Sequence, residues 1–269
     1  VVSVNVTTAP ATTGSTPGDF RAFLPAMKLP SLLLLLLASI TFAADAPIPA
    51  EVRAQMIASF EKTRTEATEA LAKEPKSTEL LTRRGDALLF LGDAKGAVAD
   101  FEKEIALAPS HDAPHWRLGI AYLFAGEFAK SAKQFEKYHA YDDRDRENGV
   151  WQFLGNARVV GIEKARTTML AYTRFDREPF PAIYDMLAGK KTGAEVLAEM
   201  EKKSLSENAA VMFFAHYYIG LNEDLLGHKE AAREHLAKAV ALSMKSNARG
   251  GPGYMSQVAR LHYEAAVGK

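Results

Sequence analysis

The 269 residues contain no cysteine. That excludes disulfides, thiolate zinc sites, a cysteine nucleophile and cysteine-linked lipidation. Net charge is lacking too, since 33 basic residues balance 33 acidic ones. There is no bulk attraction for nucleic acid or an anionic lipid surface. No Gly-x-Ser-x-Gly elbow occurs, and no glycine loop of the phosphate-cradling kind. The apolar run Leu32–Phe42 falls well short of the roughly 20 residues a membrane span needs. What is present is ordinary for a folded protein: 48% apolar and 25% charged residues.

The start of the chain reads as processing sequence. Residues 1–26 are rich in Thr, Ser, Ala, Pro and Gly, without helical period, and the first residue is Val. Met27, Lys28 and the run Leu32–Phe42 then make a secretory signal. Thr41 and Ala43 supply the small-x-small pattern for cleavage after Ala43, so residues 27–43 are expected to be the signal peptide and residues 44–50 a linker. Residues 1–26 are expected to be an upstream or disordered segment, with translation starting at Met27. This predicts a periplasmic or secreted protein.

From residue 51 to the end the chain reads as helices. One is expected over about Ala50–Lys73, stopped at Pro75. Thr78–His111 and Asp112–Asp145 are then two consecutive blocks with a shared period. Gly85 returns as Gly119, Gly92 as Gly126 and Phe101 as Phe135. Gly220 and Gly227 repeat the seven-residue glycine spacing in a third block, 213–246. A shortened unit opens at Trp151 and turns at Gly161. Pro181–Ala188 and Thr192–Lys203 form a degenerate helical pair, the second opening with a Thr192/Glu195 capping box. The breaker Asn247–Gly253 precedes a last amphipathic helix, Tyr254–Val267. It is expected to cap the open end of the array, with Arg260, His262 and Glu264 facing water. The mixed-charge run Asp142–Glu147 is expected to be a solvated connector.

The 34-residue period with these glycines and aromatics is the tetratricopeptide-repeat (TPR) signature. The fold is therefore expected to be all-α, a right-handed TPR superhelical solenoid with a C-terminal capping helix. In such arrays the first helix of each repeat lines a concave groove. The predicted groove residues are Thr82, Asp86, Leu89 and Phe90 in the first repeat. Trp116, Ile120, Leu123 and Phe124 follow in the second, and Phe214, Tyr217 and Leu221 in the last. An apolar, aromatic groove suits a partner helix or peptide; the alternative is that neighbouring helices bury these residues. The carboxylate clamp of some TPR proteins is excluded. Its Lys and Asn positions hold Thr82/Asp86 and Trp116/Ile120. His111 and His115 straddle a repeat boundary with Pro114 between them, so no metal site is expected; no cofactor and no catalytic residue is expected either.

The order of units resembles that of the NlpI-type periplasmic TPR lipoproteins. The carrying segments are 118–138 (LGIAYLFAGEFAKSAKQFEKY), 151–166 (WQFLGNARVVGIEKAR) and 217–240 (YYIGLNEDLLGHKEAAREHLAKAV). The resemblance implies a non-enzymatic adaptor, often homodimeric, that binds a periplasmic processing protease and cell-wall hydrolases. Those proteins are anchored through a lipidated Cys, which this chain lacks, so it is expected to be free in the periplasm. The competing expectation is a structural TPR subunit of an envelope assembly or secretion complex. Neither reading calls for nucleic acid or a membrane span.

Overall fold

Ser77 explains where the repeats begin. Its backbone is extended and its hydroxyl accepts the Leu80 amide, so it caps a helix that runs Thr78–Phe90. That helix ends on Gly92 at φ +89°, a left-handed conformation that glycine adopts without steric cost. Asp93 then caps the next helix by accepting the Gly96 amide. A computed structural model describes residues 47–174, 176–247 and 253–268. The signal segment, its cleavage point and most of the Asn247–Gly253 breaker lie outside the described residues.

Twelve α-helices are present among the described residues, with no strand. They are α1 (Ala50–Lys73), α2 (Thr78–Phe90), α3 (Ala94–Leu107), α4 (Trp116–Phe124), α5 (Phe128–Tyr141) and α6 (Arg146–Val160). Then come α7 (Ile162–Arg166), α8 (Phe180–Leu187), α9 (Gly193–Lys202), α10 (Ala209–Leu226), α11 (Lys229–Asn247) and α12 (Tyr254–Ala266). Most helices pack mainly on their neighbour in the chain, as in an all-α TPR solenoid, while α8 packs chiefly on α6. The pairs α2/α3, α4/α5 and α10/α11 are the three predicted repeats.

The repeated glycines hold these pairs together. A Cβ on Gly85 would lie 2.5 Å from the ring of Phe101, and one on Gly119 would lie 2.6 Å from the ring of Phe135. The period therefore conserves a contact: a ring from the second helix presses on bare backbone of the first. Ser131 adds a hydrogen bond across the second pair, donating to Gly119 O at 2.8 Å. Gly155 continues the pattern, because its Cβ would meet Phe128 O at 2.9 Å, so α6 runs against the backbone of α5.

Three expectations are corrected. The charged connector ends at Asp145, which caps α6 by accepting the Glu147 amide. Glu147 is not solvated: its carboxylate takes the Tyr218 hydroxyl at 2.5 Å and Arg177 at 2.6 Å. Arg260 and Glu264 do not face water either, being 1% and 8% exposed. His262 is likewise turned inward, with its Nδ1 2.9 Å from the Tyr217 hydroxyl. The reason is the placement of α12, described next. The predicted Thr192/Glu195 capping box is present with both of its hydrogen bonds.

Candidate protein-binding groove

The first helices of the repeats, α2, α4 and α10, present their aromatic residues to one element, the terminal helix α12. Tyr254, at its start, lies edge-on to Phe90 and to Trp116, each at 4.7 Å between centroids. Two turns further on, His262 packs on Phe124 at 4.4 Å and meets Tyr217. Arg260, between them, donates from Nη2 to the backbone carbonyl of Phe90 at 2.6 Å. That carbonyl is in the last turn of α2, where intrahelical donors have run out. Glu264 receives Arg260 at 2.8 Å and, from the far side, Arg53 of α1 at 2.6 Å. Burial would raise the Glu264 carboxyl, but these two guanidinium groups hold it below the usual range.

Most of the predicted groove residues meet this helix. Leu89, Phe90 and Phe124 share a cavity wall with Arg260, Leu261 and Glu264. Trp116 and Ile120 share one with Tyr254 and Met255, and Leu221 shares one with His262. Tyr217 holds His262 by its hydroxyl. Asp86 is half-buried beside Tyr254, with Arg117 Nε 3.3 Å from its Oδ2. Burial pushes its carboxyl up to about 6, opposed by Arg117. Leu123 is partly buried against the core. Two residues point elsewhere. Thr82 donates to Glu104 at 2.5 Å, and Phe214 packs on Phe180 of α8 at 5.2 Å.

Sequence spacing left Glu104 out. It accepts from Thr82 and lies 2.9 Å from His111 Nδ1 and 3.1 Å from His115 Nε2. These contacts hold its carboxyl low against the opposing effect of burial. His115 Nδ1 accepts the Leu118 amide at 3.1 Å, so its Nε2 carries the proton that Glu104 receives. Both ring nitrogens are thereby committed to structure. No group of three or more metal-ligating side chains is gathered among the described residues. The arginines near the groove are similarly tied, Arg83 to Glu66 at 2.8 Å and Arg84 to both oxygens of Asp100.

Comparison with known proteins agrees with this geometry. A tetratricopeptide-repeat family model matches residues 78–111, the block that the period marks out first. The chain is 25% identical over 117 residues to a protein of Haemophilus influenzae named lipoprotein NlpI homolog. The match spans 44% of this chain and 37% of that protein, little more than a third of the relative's length. The chain carries a tetratricopeptide repeat and resembles NlpI. No helix among the described residues is long and apolar enough to cross a membrane.

Proposed function

We propose that the protein is a non-enzymatic adaptor of the bacterial periplasm that binds other proteins through its TPR helices. One observation carries this reading above the others. The aromatic face of α2, α4 and α10 holds an amphipathic helix, α12, by ring contacts and by the bond from Arg260 to Phe90 O. A surface that seats one such helix has the chemistry to seat another. The TPR match and the resemblance to NlpI support the same class. A processing protease or a cell-wall hydrolase is the partner type this resemblance suggests, and the signal read at residues 27–43 supplies the compartment.

Crosslinking with mass spectrometry in the intact envelope tests the proposal. The expected result is a small set of proteins crosslinked in fixed ratio, with a protease or cell-wall hydrolase among them. A set no different from that of an unrelated secreted helical protein would overturn it.

A further inference from the structure

A half-open cleft of about 280 Å³ lies where α12 begins. Trp116, Tyr138, Trp151 and Tyr254 put aromatic rings in its wall, and Asp145 and Glu147 put carboxylates there. No lysine or arginine lines it. The two acids belong to a cluster short of positive charge. Asp145, Glu147 and Asp176 all draw on Arg177, at 3.1, 2.6 and 3.3 Å. Three carboxylates on one guanidinium leave two negative charges without a cation, although the Glu147 and Asp176 side chains are only 12% and 10% exposed. Charges so far withdrawn from water are normally paired. Arg146, between the two acids in sequence, is turned onto the ring of Tyr172 instead. The first turn of α6 supplies a partial positive charge only. The deficit shows at Glu147. Burial pushes its carboxyl up to about 7 against the pull of Arg177, and Asp145 and Asp176 add to the rise. Asp145 also keeps an oxygen open. Its Oδ1 takes the Glu147 amide and Arg177, while among the described residues its Oδ2 takes no hydrogen bond.

We propose that this cleft receives an arginine side chain of a partner protein, its guanidinium on Asp145 and Glu147 and its plane against the aromatic wall. The inference rests on the adaptor reading and names the residue by which a partner is held. Aromatic rings attract a cation through their negative faces. The protein itself shows this preference outside the cleft. The guanidinium carbon of Arg117 lies 4.4 Å from the Trp116 ring and 5.3 Å from that of Tyr254. Lysine would bring the charge, but only a guanidinium is flat enough to lie on a ring while its edge donates to a carboxylate.

The test uses the full chain and its own fluorescence, because its 2 tryptophans, Trp116 and Trp151, both line the cleft. The probe is the blocked tripeptide acetyl-Gly-Arg-Gly-amide, with lysine and citrulline versions beside it at constant ionic strength. The arginine peptide is expected to give a saturable change with a midpoint of ~1–10 mM, as befits a single side chain. The lysine peptide is expected to bind at least ~5-fold more weakly, and the neutral citrulline peptide not to saturate. Asp145→Asn removes one charge and keeps a residue that caps α6 equally well. It should weaken the arginine peptide at least ~5-fold without changing the thermal melt. Tyr138→Leu takes a ring from the wall, leaves that cap untouched and should weaken binding ~2–5-fold. No saturable response to the arginine peptide would overturn the inference. So would citrulline or lysine peptides that bind as well as arginine, or two variants that bind like the native chain. The two readings fail separately. Crosslinked partners without a response to the arginine peptide remove the cleft alone. A saturable response without crosslinked proteins removes the adaptor reading and leaves a guanidinium site.

Discussion

A ring pressed on a glycine is the smallest repeated unit of this fold. Gly85→Ala would place a methyl 2.5 Å from Phe101, and the ring has no free side to move to because Phe101 is fully buried. Overpacking of this kind costs about 1–3 kcal/mol, partly offset by the better helix propensity of alanine. Urea unfolding of Gly85→Ala should show a net loss of about 1–2 kcal/mol, and Gly119→Ala a similar one; an unchanged midpoint would remove the contact as the reason for the period. His262 makes a second prediction at this scale. Burial pushes its imidazole down to about 4, with Asp224 and Arg158 acting in opposite directions. His216, beside His235 Nδ1 at 2.9 Å, is also pushed down to about 4. In the unfolded chain both take up a proton near pH 6.5. The stability they permit is therefore complete above that pH and is lost as pH falls towards 4. Thermal melts should drop across this window, and His262→Gln should flatten the drop. The glycine contact was legible in the sequence because both partners lie within one repeat. The inward turn of Arg260 and His262 was not, because Phe90 O and Tyr217 belong to helices far earlier in the chain.

Helix boundaries follow local chemistry closely. Ser77, Asp93, Asp145, Thr192 and Asn208 each cap a helix with a side-chain oxygen. Thr192→Ala should lower stability by about 1 kcal/mol in urea unfolding, since it removes the hydroxyl that accepts the Glu195 amide, one of the two hydrogen bonds of the capping box. A change below a few tenths would show that α9 is held by packing alone. The exceptions are informative. The first helix of the second repeat begins only at Trp116, because Pro109–His111 form a 3-10 turn and His115 serves as the cap. The helix α7 lasts five residues. In both places the spacing of apolar residues continues where the backbone does not. The span of α12 was readable from its own amphipathic pattern, but its seat depends on the face opposite, about which a helix's own sequence says nothing.

Across residues 47–268, α12 changes what kind of array this is. Helical repeats normally touch only their neighbours, so their stability is a sum of local terms and their ends fray independently. Here Arg53 of α1 and Arg260 of α12 share Glu264, joining residues 211 positions apart. Among the described residues this ties α1 to α12 directly, which is expected to couple their unfolding. Glu264→Ala leaves both guanidinium groups without their carboxylate. It should turn a single unfolding transition, followed by circular dichroism and by tryptophan fluorescence, into two that no longer coincide. Coincident curves for the variant would show that the link carries no cooperativity.

The same link sets an order of events in time. The seat is synthesised before the helix that fills it. Every molecule therefore passes through an interval in which Phe90, Trp116 and Phe124 have been made and Tyr254–Ala266 have not. During that interval the surface most suited to gripping a helix faces the crowded solution uncovered, and a chain stopped short of Tyr254 would remain in that condition permanently.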